Sequence, residues 1–327
     1  MQRRPLLLAA SGLALPFLAL PRLARAQAVW PNRPVTILVP YVAGGPSDTL
    51  ARATGGALQA ALGQPVVVEN RPGGNGAVAA GLAARAAPDG HTLFVGASGI
   101  LTINPHILRN LSYDPMRDFA PLTIAISAPN MLVANPRFPP RDVPGLVAWL
   151  KANPNQASYG TSGIGSSEHL TMELFAQRTG TQLTHVPYGG GAAAVTDLVG
   201  GTTELSFLNI STVAAQVQAG ALRALAVGSL TRHPLFPDVP TVDESGVAGF
   251  EGGSWHSFVA PRGTPEPVLE AVHAALVAAL RQPETEARLT RIGFTVTATS
   301  RDAFATRLER ELGEWREVVR SAGIVAG

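Results

Sequence analysis

The chain has 327 residues, of which 25 are Lys or Arg and 23 are Asp or Glu, and it contains no cysteine. The missing cysteine excludes disulfides, thiolate catalysis and cysteine metal sites. Four arginines lie in the first 28 residues, so the remaining chain has 21 basic and 23 acidic residues and a net charge of −2, which gives no support for nucleic-acid binding.

The beginning of the chain has the residue order of a secretory signal peptide. A basic start at residues 1–4 precedes an apolar run at residues 6–20 and the small-residue sequence Ala-Arg-Ala-Gln-Ala at residues 24–28. The apolar run is shorter than the roughly 20 residues of a spanning helix, so we predict a cleaved signal peptide over residues 1–28 and a periplasmic protein. The Arg3-Arg4 pair also fits a twin-arginine signal, but such pairs are common in ordinary signals, which favours the general secretory route.

Strands and helices then alternate along the chain. In the first part, the pattern predicts strands at residues 35–40, 65–70 and 92–96, with helices at 49–62 and from a glycine loop to residue 86. In the second part, it predicts strands at 157–160, 184–188, 204–207 and 224–228, with helices at 144–152, 167–179 and 193–199. This alternation is typical of parallel sheets covered by helices.

The repeated pattern predicts two lobes. The chain is expected to pass between them at residues 121–135 and again at 226–255. Three C-terminal helices, near residues 267–280, 285–291 and 300–322, would then rejoin the first lobe, with Ser300 as the N-cap of the last one. The predicted division is one lobe of residues 29–128 plus 253–327 and a second lobe of residues 129–252.

Three loops share one design, in which a strand ends, glycines or serines follow and a helix begins. They lie at residues 43–48, 162–167 and 188–192. Glycine lets backbone N–H groups approach a ligand, and the N-terminus of the following helix favours negative charge. Ligands bind beyond the carboxyl ends of strands in such sheets, so these loops indicate a site for a small anion. The alternative is that each loop is only a tight turn.

The motifs of other functions are incomplete. Residues 74–79 spell the G-x-G-x-x-A of a dinucleotide loop, but residues 71–73 separate them from the strand. The serines at Ser98 and Ser162 lack the second glycine of a G-x-S-x-G elbow. The seven histidines have no ligand-like spacing, so we expect neither a cofactor nor a metal.

Two residues allow a structural and a functional interpretation. Asp48 directly precedes the predicted helix, so its structural role would be an N-cap even if the loop binds a ligand. Trp255 lies at the second crossing between the lobes, where it could pack in the core or form a wall of the cleft.

Many short motifs in the same order resemble the Bug-type extracytoplasmic solute receptors of tripartite tricarboxylate transporters, from about residue 30 to residue 324. They include the P-x-R-P-V sequence at residues 31–35, V-P-Y and G-G-x-x-D between residues 39 and 48, and G-Q-P-V-V-V-E-N-R-P-G at residues 63–73. They continue with Y-G-T-S-G at 159–163, V-P-Y at 186–188 and P-D-V-P-T at 237–241.

The resemblance implies an α/β fold of the periplasmic binding protein type (type II-like), with two lobes that each contain a mainly parallel sheet flanked by helices. It implies a non-enzymatic receptor that captures a small organic anion, such as a dicarboxylate, a citrate-like acid, an acidic amino acid or an aromatic acid, in the cleft between the lobes and delivers it to membrane permease subunits. Nothing in the sequence indicates an oligomer, so a monomer is expected. By position, the ligand-binding residues are Tyr41, Ala43, Gly44, Gly45, Pro46, Ser47, Asp48, Ser98, Ser162, Gly163, Gly165, Ser166, His169, Tyr188, Gly189, Gly190, Asn209 and Trp255.

The chain departs from the family pattern at two positions. The family often has a basic residue after V-P-Y, where this chain has Gly189, and an acid near Leu208, where only Asn209 is retained. Both departures remove charge from the expected cleft, which favours a monocarboxylate or an aromatic acid over citrate or an amino acid. Two rival functions remain open: a sensor that presents its ligand-bound form to a signalling partner, and an exported hydrolase or isomerase that uses His169 or Asp48.

Overall fold

The computed structural model describes residues 30–324, so the predicted signal peptide lies outside the described residues. The strands are β1 (Val35–Val39), β2 (Val66–Asn70), β3 (Thr92–Ala97), β4 (Phe119–Ala134), β5 (Ser158–Thr161), β6 (Thr184–Pro187), β7 (Leu205–Asn209), β8 (Arg223–Val227), β9 (Gly253–Pro261) and β10 (Thr295–Val296). The helices are α1 (Pro46–Leu62), α2 (Ala77–Ala84), α3 (Asn104–Ile107), α4 (Val143–Ala152), α5 (Ser167–Thr179), α6 (Gly191–Gly200), α7 (Ile210–Gln218), α8 (Glu266–Leu280), α9 (Pro283–Arg291) and α10 (Arg301–Ala322). None of the helices between residues 30 and 324 has both the length and the hydrophobicity needed to cross a membrane.

The long strand β4 belongs to two sheets. Its first part pairs with β9 and β10, and β9 continues through β3 and β1 to β2; we call this the first sheet. Its second part, from Asn130, lies between β7 and β8, and β7 continues through β5 to β6; we call this the second sheet. The first predicted crossing is therefore one continuous strand. The pairing register with β9 shifts after Pro121, where proline cannot donate a ladder hydrogen bond.

Most strands within each sheet run in one direction. In the first sheet, β1, β2 and β3 are parallel, and β4 shares their direction because β3 and β4 are both antiparallel to β9. In the second sheet, β5, β6 and β7 are parallel, and β8 joins them because β7 and β8 are both antiparallel to β4. The predicted two-lobed α/β fold with mainly parallel sheets is thus confirmed.

These directions determine where the loops lie. The strands β1 and β3 run parallel to β4, so their carboxyl ends point toward the part of β4 that enters the second sheet. The strands β5 to β7 run opposite to β4, so their carboxyl ends point back toward the same part, where Asn209 pairs with Asn130. The loops that follow strands in both sheets therefore face one junction, around residues 127–130 of β4 and 253–256 of β9.

Each sheet has apolar layers on both faces because consecutive strand residues point to opposite sides. In β3, Leu93 and Val95 belong to one buried cluster and Phe94 to another. In β4, Leu132 packs with α4 and α5, whereas Met131 and Val133 pack with α6 and α7. Helices cover both faces of each sheet as a result.

The local elements agree with the predictions more closely at some ends than at others. The helix α5 has the predicted bounds, and Ser300 caps α10 by accepting a hydrogen bond from the amide of Ala303. The helix α1 begins at Pro46, three residues before the predicted start, because proline fits the first helical position after Gly45. The strands β4, β9 and β10 and the helices α3 and α7 were not predicted.

Candidate functional site

Three consecutive residues of β9 connect the predicted site residues of the two sheets. The Ser254 hydroxyl lies 3.4 Å from the Asn209 side-chain oxygen, at the end of β7 in the second sheet. The Trp255 amide lies 3.4 Å from the Ser98 hydroxyl, directly after β3 in the first sheet. The His256 ring lies 3.0 Å from the Ser47 hydroxyl, in the first turn of α1. The strand β9 therefore contacts loops of both sheets at one place.

The loop after β1 is organised around the carboxylate of Asp48, which is only 3% exposed. It accepts hydrogen bonds from the Gly44 amide at 2.9 Å, from Arg52 at 3.0 Å and from the Asn70 side chain at 3.0 Å. The predicted N-cap role is wrong, because Gly45 occupies the N-cap and Asp48 is the third residue of α1. Its carboxylate instead folds the loop back onto the helix. Gly44 has a φ of +88°, which glycine adopts readily.

The charge of Asp48 is stabilised in the folded protein. Burial raises the pKa of its carboxyl, but the hydrogen bonds from Arg52, Gly44 and Asn70 and the positive charge of Arg52 outweigh burial and hold the pKa below its ordinary value. Arg52 is therefore already paired and is not a free cation for a ligand. The rest of the loop exposes backbone and small side chains, at Ala43, Gly44 and Pro46.

The loop after β5 contains a buried acid that the sequence analysis did not identify. The Ser162 hydroxyl donates to Glu168 at 2.8 Å, and the Asn209 side-chain amide donates to the other oxygen of the same carboxylate at 3.1 Å. A serine hydroxyl has one proton to donate, so Ser162 cannot also donate to a ligand in this arrangement. Ser166 caps α5 by accepting from the His169 amide, which leaves its own proton free.

Three stacked aromatic rings lie against this loop. The His169 and His185 rings are parallel within 9° with their centroids 3.9 Å apart, and Tyr159 stacks on His185 at 4.9 Å. Nδ1 of His169 accepts a hydrogen bond from the Gly165 amide at 3.1 Å, so this nitrogen is unprotonated. The pKa of both histidines is lowered to about 4, by burial for His185 and by burial together with the neighbouring His185 for His169. The rings are neutral at neutral pH as a consequence.

The loop after β6 presents mainly backbone. The Tyr188 hydroxyl donates to Asp197 at 2.7 Å, and its ring lies against Gly160, where a Cβ would be 3.0 Å from ring atom Cε2. Its side chain is therefore fixed against the second sheet. Gly189 and Gly190, which precede α6, have no side chains and offer only backbone groups.

Trp255 packs in the core in this conformation. Its side chain is 1% exposed, its ring packs edge-on against Phe304 with centroids 5.4 Å apart, and its Nε1 donates to Glu311 at 2.8 Å. Of the two interpretations that the sequence left open, this arrangement favours core packing. The backbone amide of Trp255, rather than its ring, contacts the predicted site.

A cavity of about 420 Å³ lies beside the junction and was not predicted. It is enclosed by α5, α10 and the segments around residues 228–229 and 249–254, with Ser127, Ser254, Arg307 and Glu311 among its walls. None of the loops at residues 41–48, 162–166 and 188–190 lines it. We place the candidate site at the loops, because the contacts through β9 converge there.

The chemistry available at the junction is that of binding. Ser47 and His256 have the separation of a nucleophile and its base, but Ser47 is fully buried, and burial lowers the pKa of His256 to about 4, which makes it a poor base at neutral pH. No group of three or more His, Asp or Glu between residues 30 and 324 is arranged to hold a metal ion. The loops instead offer backbone amides, the hydroxyls of Ser98 and Ser166, and helix N-termini.

Comparisons with known proteins agree on the nature of the fold. Residues 50–324 match the model of the tripartite tricarboxylate transporter family receptor. The chain is 33% identical to the protein BugT of Bordetella pertussis over 90% of each chain. It is 35% identical to the Rhodopseudomonas palustris protein Rpa4515 with adipate, with a TM-score of 0.77 over 90% of this chain and 99% of that one. It is 34% identical to MatC from Rhodopseudomonas palustris with bound malate, with a TM-score of 0.73 over 89% of this chain and all of that one.

Proposed function

The chain belongs to the family of tripartite tricarboxylate transporter receptors, and from that premise we propose that it is a periplasmic solute-binding receptor for a small organic carboxylate. The ligand would bind between the two lobes and be delivered to membrane permease subunits. The adipate and malate of the two similar structures are the ligands of those proteins and support a carboxylate as the ligand class here.

One observation carries this proposal. The consecutive residues Ser254, Trp255 and His256 contact Asn209, Ser98 and Ser47, so a single strand joins loops from both sheets. A ligand held between those loops would contact both lobes at once. It would therefore stabilise a closed form that a membrane partner could recognise.

Carboxylate binding does not require a lysine or arginine at the junction. Charge-assisted hydrogen bonds contribute about 1.5–3 kcal/mol each, so four of them give roughly 6–12 kcal/mol before ordering costs. Micromolar binding needs about 8 kcal/mol. The hydroxyls of Ser98, which is 3% exposed, and Ser166 would supply such bonds together with helix N-termini and the loop amides that do not already donate within the protein.

We propose different roles for the predicted binding residues. Backbone amides of Ala43, Gly45, Gly189 and Gly190 and the hydroxyls of Ser98 and Ser166 would contact the ligand. The amides of Gly44, Gly163 and Gly165 already donate to Asp48, Thr161 and His169, so these glycines would shape the loops instead. Ser47, Asp48, Ser162, His169, Tyr188, Asn209 and Trp255 would hold the loops through the hydrogen bonds described above. Tyr41 and Pro46 would shape the edge of the site.

We also propose that the lobes meet at residues 128–129 and 252–253. The pairing of β4 with β9 ends at Pro129 and Gly253, and the pairing of β4 with β7 begins at Asn130. A change of backbone angles at these few residues would move one sheet relative to the other without breaking either ladder.

Thermal unfolding against a panel of acids tests the proposal. The protein without residues 1–28, freed of bound ligand, is mixed with mono-, di- and tricarboxylates, amino acids and aromatic acids. A ligand at 100 times its Kd adds about 2.7 kcal/mol of stability, which raises Tm by several degrees. A selective increase supports the receptor. Turnover of a bound acid, or no increase with any acid on folded protein, contradicts it.

A further inference from the structure

One cluster of buried apolar side chains joins the two proposed lobes. The described residues form five such clusters, and four of them each lie within a single lobe. The fifth, which we call the interlobe cluster, connects α5 of the second lobe to α10 and the segment ending in α3 of the first. Leu170 of α5 is fully buried in it, and Leu174 is partly buried against it. The members from the first lobe are Ile103, Ile107, Trp315, Val318, Val319 and Ile324.

The interlobe cluster lies next to the candidate site. The amide of Leu170 donates to the carbonyl of Ser166, the N-cap of α5, so Leu170 follows the site loop by one helical turn. The loop itself approaches the first lobe at Gly165, where an added Cβ would lie 2.7 Å from Cδ1 of Ile107. A site loop of the second lobe therefore contacts the first lobe directly, and the lobes are closed on this side of the junction.

The contact between α5 and α10 has the features of two surfaces that can separate. The cavity of about 420 Å³ adjoins the interlobe cluster, because Leu174, Trp315 and Val318 also line it, and both crossings between the lobes contribute to its walls. Protein interiors are normally packed without spaces of this size. A long hydrogen bond of 3.5 Å, from the Gln177 side chain to the Val318 carbonyl, crosses between the helices. An interface this small and loosely packed permits relative movement of the lobes.

We propose that the interlobe cluster stabilises the closed form before any ligand binds and so sets the affinity of the cleft. This inference rests on the proposed receptor function and its hinge. Opening at residues 128–129 and 252–253 would separate α5 from α10 and expose Leu170 and Leu174 to water, which is unfavourable. Apparent affinity is proportional to the fraction of molecules in the binding-competent form. Residues that never touch the ligand therefore determine how tightly it binds, whereas the site loops determine which ligand binds.

X-ray scattering of the ligand-free protein and calorimetric titration with malate and adipate test this. Leu170→Ala should increase the radius of gyration of the ligand-free protein, because more molecules are open. It should weaken binding of whichever of the two acids binds the wild type by about fivefold, and saturation with that acid should restore the wild-type radius. Val318→Ala trims the cluster from the α10 side and should change both quantities in the same direction, by less.

Leu146→Ala is the matched control. Leu146 of α4 is also fully buried, but its cluster lies within the second lobe. This variant should lose stability in urea as Leu170→Ala does and keep the wild-type radius and affinity.

A folded Leu170→Ala with the wild-type radius or the wild-type affinity overturns the proposal, and so does an equal change of both in Leu146→Ala. If Leu170→Ala fails to fold, Val318→Ala decides in the same way. Failure of the wild type to bind any acid of the thermal-unfolding panel refutes the receptor function instead, and the radii of the ligand-free proteins still decide whether the cluster holds the lobes together.

Discussion

The two sheets support their site loops in different ways. In the first sheet, the acid Asp48 is neutralised by Arg52 and holds the loop amide of Gly44. In the second sheet, the acid Glu168 has no arginine, and the loop amide of Gly165 is held by a histidine ring, His169. One loop therefore depends on a compensated charge and the other on neutral rings and neutral donors. One side of the proposed cleft is therefore fixed by a charge pair, whereas the other contains titratable rings.

Mild acid should destabilise the loop of the second sheet more than the loop of the first sheet. The folded pKa of His169 and His185 is about 4, below the ordinary value of about 6.5, so the unfolded chain binds more protons between these values. Stability is therefore lost as pH falls from about 6.5 toward 4, by about 2 kcal/mol for each histidine at pH 4.5. His256, with the same lowered pKa, adds a similar loss. Urea unfolding at pH 7 and pH 4.5 measures the total.

The variant His185→Gln tests how much of the pH dependence comes from the loop of the second sheet. It removes one titrating ring and the neighbour that disfavours the charge on His169, so its stability should change less between pH 7 and pH 4.5 than that of the wild type. The lowered pKa of Asp48 contributes stability that is lost only as pH falls below its ordinary value, near pH 4. Equal pH dependence in the variant and the wild type would contradict the proposed role of the stack.

Removing the Asp48 carboxylate from the loop of the first sheet should lower the free energy of unfolding less than mild acid does. The substitution Asp48→Ala removes the acceptor of the Gly44, Arg52 and Asn70 hydrogen bonds at a nearly buried position. Because Arg52 is half exposed and can be resolvated, we expect a loss of about 2–4 kcal/mol in the free energy of unfolding at pH 7. Urea unfolding measures this loss.

The control for Asp48→Ala is an exposed ion pair. Glu317 and Arg320 form a pair on the surface of α10, where both side chains are mostly exposed. Such pairs contribute little, so Glu317→Ala should leave the free energy of unfolding almost unchanged. If both substitutions have the same small effect, Asp48 does not organise its loop.

The smallest expected effect distinguishes a ligand contact from a helix cap. Ser166→Ala removes an N-cap and a free hydroxyl, so it should lower stability by about 1 kcal/mol and weaken ligand binding by about 0.5–1.5 kcal/mol. Ser300→Ala removes a cap of the same geometry from α10, with the same 3.2 Å hydrogen bond, outside the site loops. It should lower stability equally and leave affinity unchanged in calorimetric titration. Equal affinities in both variants would remove Ser166 from the site.

Local signals explain what the sequence could predict. The bounds of α5 and the cap at Ser300 follow from residues within one helical turn, and the glycine loops follow from their own composition. The early start of α1 could also have been predicted, because Pro46 is a residue typical of a first helical position. These features require no knowledge of distant parts of the chain.

Contacts between distant residues explain what the sequence could not predict. Glu168 lies 41 positions before Asn209, and Trp255 lies 56 positions before Glu311, so neither hydrogen bond leaves a local pattern. Ser162 was predicted to donate to a ligand because its partner Glu168 could not be recognised without the fold. The lobe boundaries and the binding roles remain predictions.

The strand β4 also determines how the two lobes depend on each other as folding units. Its first part lies between β9 and β10, and its second part lies between β7 and β8. A fragment of residues 135–252 would leave β7 and β8 separated by an empty position, with an unpaired edge on each. Neither lobe is thus a self-sufficient module, and recombination that exchanged one lobe between relatives would have to carry the matching part of this strand with it.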